Sequence, residues 1–360
     1  MNPEKKKYRI LALYLPQYHP IPENDRWWGT GFTEWTNVGK ARRLFPGHYQ
    51  PRVPADLGYY DLRVPETRKA QADLARQYGI EGFCYWHYWF GNGKELLERP
   101  FNEMLASGEP DFPFCVAWAN ESWRGFYHGV GEREVLIEQT YPSEEDHIRH
   151  FHRLLPAFKD RRYIKKDGKP VFMVYNPGGL PNAESFIGLW RRLAAENGLP
   201  GLFIIGHTYD PSKTDLFLSQ GFDAVETINI FRYSDEVSFL DRTATKLAHR
   251  LLGFPRIVSY KKASRYFVSA QDCRDDVIPT IIPNWDHSPR TGKNGIVFHD
   301  SNPLLFSKHL LQVKDCLDRK SDPEPFVFIK SWNEWAEGNY LEPDLRFGRQ
   351  YLEAVKRILG

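Results

Sequence analysis

Short apolar runs recur along this chain and alternate with stretches whose apolar positions follow a helical period. The runs lie at 9–14, 80–85, 114–118, 171–175, 202–206, 224–227, 278–283 and 326–330. Most lack the strict polar alternation of a half-exposed strand, which predicts strands buried on both faces. Between them, helical periodicity appears at 65–78, 94–106, 143–158, 183–196, 214–220 and 304–317, with a last stretch near 349–359. Ser143 followed by Glu144, Glu145 and Asp146 is a helix start, because a hydroxyl cap and first-turn acids satisfy the unpaired amides and the dipole there. Strand and helix alternating through eight units predict a (β/α)8 TIM barrel, with residues 1–360 as one catalytic domain. A doubly wound open sheet is the structural rival.

Two insertions interrupt the alternation. About fifty residues separate the first strand from the first helix, and a loop of that length in a compact domain is usually functional. The second spans 231–266, between strands 6 and 7, and carries Arg242, Lys246, Arg250, Arg256, Lys261, Lys262 and Arg265. A solvated helical lid is the simpler account; a patch for an anionic glycan or a membrane face is the sharper one.

Charge changes the picture little. The 48 basic and 46 acidic residues nearly cancel, which gives no reason to expect a nucleic acid partner. No window approaches the roughly 18 apolar residues of a membrane span, and 10–15 is too short for a signal-peptide core. Cys84, Cys115, Cys273 and Cys316 lack metal-type spacing and are expected as free thiols in a reducing cytoplasm. The chain is expected to act as a monomer, with peripheral membrane contact left open. Asp146, His147, His150 and His152 resemble a ligand cluster, but a helix far from the strand ends predicts a solvated face. With no glycine-rich phosphate loop and no Asp-x-Asp, no metal or cofactor is expected.

Aromatics matter more. They form 15% of the chain and cluster beside polar groups, as in residues 84–90 and 332–335. Flat rings beside carboxylates and amides suit a sugar, which offers C–H faces for stacking and hydroxyls for hydrogen bonds. In barrels the reactive groups lie just past the strand ends. There the chain places Tyr14, Tyr18 and His19; Trp86, His87 and Trp89; Trp118, Asn120 and Glu121; Tyr175; Trp285, Asp286 and His287; and Trp332, Asn333 and Trp335. Trp28, Glu34 and Trp35 of the long first loop join them as candidate substrate contacts.

The strongest pattern is Glu334-x-x-Glu337. A helical turn would set the two carboxyls on one face, and neither could then ionise independently of the other. One would keep its proton near neutrality, the division of labour that glycoside cleavage needs. Glu121 is open as a second catalytic carboxylate, a hydroxyl partner or a structural group.

The segments 14–20, 28–38, 48–51, 82–89, 118–121 and 332–338 together resemble the WbsX-like glycosyltransferases of bacterial surface-polysaccharide clusters. That family is in turn similar to glycoside hydrolase family 99, most clearly at Asn333-Glu-Trp335 and Glu337-Gly338. The second resemblance implies retention of configuration through a 1,2-anhydro sugar. Glu334 would take the proton of the sugar 2-hydroxyl, and Glu337 would protonate the leaving oxygen. That route needs a 2-hydroxyl trans to the leaving group, as in α-mannosides or α-rhamnosides. The expected partner is therefore an oligo- or polysaccharide. Three functions stay open: a retaining glycosidase or transglycosylase, a glycosyltransferase of O-antigen or capsule synthesis, and a glycan-binding protein without turnover.

Overall fold

Eight parallel strands pair in chain order and close on themselves. They are β1 (Arg9–Tyr14), β2 (Gly82–Trp89), β3 (Phe114–Trp118), β4 (Lys169–Val174), β5 (Phe203–Thr208), β6 (Ala224–Thr227), β7 (Val277–Ile281) and β8 (Phe326–Ile329). β8 returns to β1 with Val327 opposite Ile10, so the sheet has no edge and the open-sheet rival is excluded. The computed structural model describes residues 7–125, 134–233, 247 and 249–360.

The physical basis is double burial. Every residue of β2, β3, β6, β7 and β8 is buried, because helices cover the outside and side chains fill the inside. The helices are α1 (Pro65–Gln77), α2 (Arg99–Ser107), α3 (Glu144–Phe158), α4 (Ala183–Glu196), α5 (Thr214–Ser219), α6 (Pro303–Arg319) and α7 (Gln350–Leu359). On α4, Phe186, Ile187, Trp190, Leu193 and Ala194 form the buried stripe, and the Asn182 side chain accepts from Ser185 N at 2.9 Å. The Ser143 hydroxyl caps α3 in the same way, at Asp146 N.

Three local expectations change. β2 runs on to Trp89, so residues 86–89 are strand rather than loop. α2 begins at Arg99 rather than 94, because Glu95 and Leu96 pair antiparallel with Trp89 and Tyr88 and Leu97 turns at φ 59°. Asp146 and His150 are buried, not solvated: Asp146 accepts from Trp89 Nε1 at 3.1 Å, and His150 contacts His87 ring to ring at 2.8 Å between Nε2 atoms. A polar seam inside the α3–barrel contact explains that cluster.

The insertions build on the upper rim. The first holds two short helices, Pro22–Trp28 and Glu34–Lys40, the latter closed by a reciprocal cap between Thr33 and Thr36. The described part of the second is not a purely helical lid. Its strand Arg256–Ser259 pairs parallel with Ile296–His299, and Tyr260 and Phe267 join Trp285 and Phe298 in a second apolar cluster. Arg250, Lys261, Lys262 and Arg265 are exposed, and Arg242 and Lys246 lie outside the described residues. Among the described residues, no helix is long and apolar enough to cross a membrane.

Candidate active site

A cleft of ≈ 960 Å³ opens over the C-terminal ends of the strands, and Glu334 and Glu337 lie on its wall. The segment that carries them is a tight hairpin instead of an α-helical turn. Asn333 and Glu334 pair antiparallel with Tyr340 and Asn339, and Trp335–Glu337 form one 3-10 turn between them. In such a turn residues three apart eclipse, which sets the two carboxyls together as the spacing implied. Gly338 closes the turn at φ 60°, where a Cβ would come within 2.7 Å of Asp286 Cβ. Only glycine fits that approach.

Polar contacts hold this hairpin against β1. Asn333 Oδ1 accepts from Leu15 N at 2.8 Å, and its Nδ2 donates to Leu15 O at 3.0 Å, so the side chain acts as one more rung beyond the β1–β8 ladder. Tyr18 donates its hydroxyl to Asn333 O and accepts from Trp335 N at 3.2 Å. Trp335 stacks on Tyr340 and donates to the buried Glu342 at 2.6 Å. Burial pushes the Glu342 carboxyl up to about 7, although Trp335, Gln71 and Tyr60 all donate to it.

Arg290 organises the charge. From the short helix Ser288–Thr291 its Nη1 donates to Glu337 Oε1 at 2.5 Å, its Nε to Glu34 Oε2 at 3.2 Å and its Nη2 to Glu334 Oε2 at 3.4 Å. One buried guanidinium thus bridges three acids. Burial and the neighbouring Glu337 push Glu334 up to about 7, against the pull of Arg290 and Lys330. Partial burial would raise Glu337 too, but Arg290 and Lys330 hold it below the usual carboxylate range. The resting pair therefore keeps its proton on Glu334. His287 stands 3.8 Å from Glu337, and burial lowers its ring to about 4, so it is neutral.

Asp286 builds the loop that presents Arg290. Its carboxylate accepts from His48 at 2.9 Å, Gln50 at 2.7 Å and the Ser288 hydroxyl at 2.6 Å, and its amide donates to Glu337 O at 2.6 Å. Burial opposes ionisation, yet His48 and Arg52 hold this acid at about 2.

Of the candidate substrate contacts, Trp28, Trp86, Glu121, Tyr175, Trp285 and His287 line the cleft with the two glutamates. The other candidates are not on its surface. Tyr14 points to α1 and donates to Gln71 at 2.7 Å. Successive strand residues face opposite ways, so Trp86 and Tyr88 reach the cleft while His87 and Trp89 turn to α3. Trp118 is buried and donates to Trp89 O at 2.8 Å. Asn120 ties its own loop to Asn176, accepting from its amide at 2.7 Å. His19 is buried against Pro16 O at 2.9 Å, Trp35 donates to Tyr60 O at 2.7 Å, and Trp332 packs on Phe83. Tyr18, Glu34, Asp286, Asn333 and Trp335 act on the glutamates or Arg290 from behind. Glu121 shares no hydrogen bond with Glu334 or Glu337.

Arg290, Lys330, Tyr88 and Tyr209 line the cleft beyond the expected set. The sequence shows the paired carboxyls, but neither their meeting with Glu34 nor the cation that joins the three. Among the described residues, no group of three or more acidic, His or Cys side chains is arranged to hold a metal.

A model of the family described as Glycosyltransferase WbsX matches residues 10–355. The uncharacterized protein WxcX of Xanthomonas campestris pv. campestris is 36% identical over 368 residues, taking in 99% of this chain and 50% of that protein. WxcX of strain B100 is 35% identical with the same coverage. The chain spans about half the length of these curated relatives. Among solved structures, a family-99 endo-α-mannosidase of Bacteroides thetaiotaomicron aligns with TM-score 0.59 at 13% identity, covering 99% of this chain and 96% of that one. A glycoside hydrolase-like protein aligns with TM-score 0.61 at 16% identity, covering 99% and 94%. At such identities the likeness is one of fold. The family match over nearly the whole chain, with relatives above one-third identity, is decisive on descent: this chain belongs to the WbsX glycosyltransferase family.

Proposed function

We propose that this chain is a carbohydrate-active enzyme that cleaves or transfers α-manno-configured residues of a bacterial polysaccharide with retention, using Glu334 and Glu337 as its acid–base pair. The observation that supports this best is the unequal pair itself. Two carboxyls share one wall of an aromatic cleft, one kept protonated to about pH 7 and one kept ionised. Glycosyl transfer needs one proton delivered and one group accepting a proton at the same centre.

In the 1,2-anhydro route, O2 of the sugar attacks C1 as the C1–leaving-oxygen bond breaks. The O2 proton passes to Glu334, and Glu337 delivers its own proton to the leaving oxygen. Water or an acceptor hydroxyl then adds at C1, the C1–O2 bond opens, and both protons return. The resting proton sits on Glu334, so this route begins with its relocation to Glu337, and the Arg290–Glu337 contact must loosen first. The same resting state favours a second arrangement, in which Glu334 is the acid and ionised Glu337 attacks C1 directly. Hydrolysis and transfer differ only in the acceptor, and the family's name favours transfer.

The test is incubation with α-mannosyl and α-rhamnosyl oligosaccharides and with their 2-deoxy-2-fluoro analogues, following the first-formed anomer by NMR. Retention with unreactive fluoro analogues supports the anhydro route. A covalent sugar on Glu337 supports the direct one. Inversion, or turnover that survives Glu334→Gln and Glu337→Gln, removes the proposal.

A further inference from the structure

Lys330 follows β8 directly and lines the cleft beside the two glutamates, yet the residue is only 4% exposed. Its ammonium sits 5.8 Å from the ring centre of Trp86 and 5.8 Å from that of Trp285. Among the described residues no carboxylate comes within 4.0 Å of it and it makes no hydrogen bond, so its charge reaches Glu334 and Glu337 only through space. The contrast with Arg290 is sharp, since that guanidinium lies on Glu34, Glu334 and Glu337 together. A buried lysine ammonium is almost always paired, because withdrawing it from water is costly. Indole faces offset part of that cost, but they offer no acceptor for its three N–H donors.

We propose that Lys330 recognises a carboxylate carried by the substrate sugar, so that this site takes a uronic acid or another acid-bearing residue in place of a neutral hexose. This rests on the proposed function, whose cleft and carboxylate pair it shares. The two indoles supply stacking surfaces for the ring, and the ammonium between them supplies one positive charge to one negative charge. A monoanion fits better than a diphosphate. Diphosphate binding sites combine several cations or a cradle of backbone amides, and Arg290 is already engaged by three acids. The low-polarity surroundings of Trp86 and Trp285 strengthen a carboxylate–ammonium contact relative to water, which turns a single charge into selectivity.

The test is equilibrium binding to the full chain at pH 7 of three probes: methyl α-D-mannopyranosiduronate, methyl α-D-mannopyranoside and mannose 1-phosphate. We expect the uronate to bind at least about tenfold tighter than the neutral sugar. Lys330→Met should erase that difference, and Lys330→Arg should retain most of it. Equal affinity for uronate and neutral sugar, or a preference that survives Lys330→Met, overturns the inference while leaving the carbohydrate site standing. Preference for mannose 1-phosphate that depends on Lys330 overturns the carboxylate assignment. Absence of binding by all three probes, with Lys330→Met folded by circular dichroism, counts against the proposed function itself.

Discussion

Arg290 Nη1 donates to Glu337 Oε1 at 2.5 Å, and through this contact the two catalytic candidates become chemically different. Glu334 is the further of the pair, at 3.4 Å from the same guanidinium, and it is the one that holds a proton to about pH 7. A spacing of three residues would make the two acids equivalent. One arginine contributed by another loop makes them unequal.

Replacing either acid should therefore stop turnover. Glu334→Gln and Glu337→Gln are each expected to lower kcat/KM by at least about a hundredfold, the usual scale for acid–base assistance. Initial-rate assays on an active glycan check this, and near-normal turnover in both variants contradicts it.

Arg290→Met leaves three acids around a lost charge. Removal of one partner from a buried ionic cluster costs on the order of 3–5 kcal/mol. Glu337 should also titrate upward without its main counter-charge. The acid limb of the pH–rate profile then moves to higher pH, which a purely structural role would not produce. Arg290→Lys keeps the charge but loses the planar fork, and should recover part of the profile and little of the rate.

In the intact protein, kcat/KM should fall as pH rises above about 7, where the pair loses its shared proton from Glu334. The acid limb should lie below the ordinary carboxylate range, because Arg290 and Lys330 hold Glu337 low despite its partial burial. A profile flat from pH 6 to 9 contradicts this assignment.

Stability carries the same signature. Glu334 and Glu342 both bind a proton more tightly folded than unfolded, with values near 7 against 4.5. Their contribution is fully present below pH 4.5 and is lost as pH rises through about 7. Each weakens the fold by about 1.4 kcal/mol per pH unit within that window. Denaturant titrations at pH 5 and pH 7 should show a smaller loss for Glu334→Gln than for wild type; equal losses contradict the prediction.

Gly338→Ala should destabilise by about 1–3 kcal/mol, since the new methyl meets Asp286 while the backbone stays at φ 60°. Because Asp286 N also holds Glu337 O, the substitution should lower kcat as well as Tm. Loss of Tm alone would separate the turn from the chemistry.

The barrel was legible because double burial leaves an unmistakable trace: eight apolar runs with helical stretches between them. Glu334 and Glu337 were legible because their spacing and strand-end position are both local. Facing was harder. The run from Trp86 to Trp89 reads as a strand end, but β2 continues through it, so alternate side chains leave the cleft and His87 and Trp89 serve α3 instead. Arg290 was missed because its partners lie far away in sequence, with Glu34 256 residues distant and brought near only by barrel closure. Lys330 sits beside the recognised motif, yet nothing local tells a cleft-lining lysine from a surface one. Asn333 was read as a sugar contact because amides suit hydroxyls; its role as an extra rung to Leu15 depends on β1 and β8 being neighbours.

The most direct measurement is a crystal structure with an α-manno-configured azasugar soaked into the cleft. The ring is expected between Trp86 and Trp285, its nitrogen within hydrogen-bond reach of Glu334 or Glu337. An azasugar bound elsewhere, with this cleft empty at a concentration that saturates binding in solution, would contradict it.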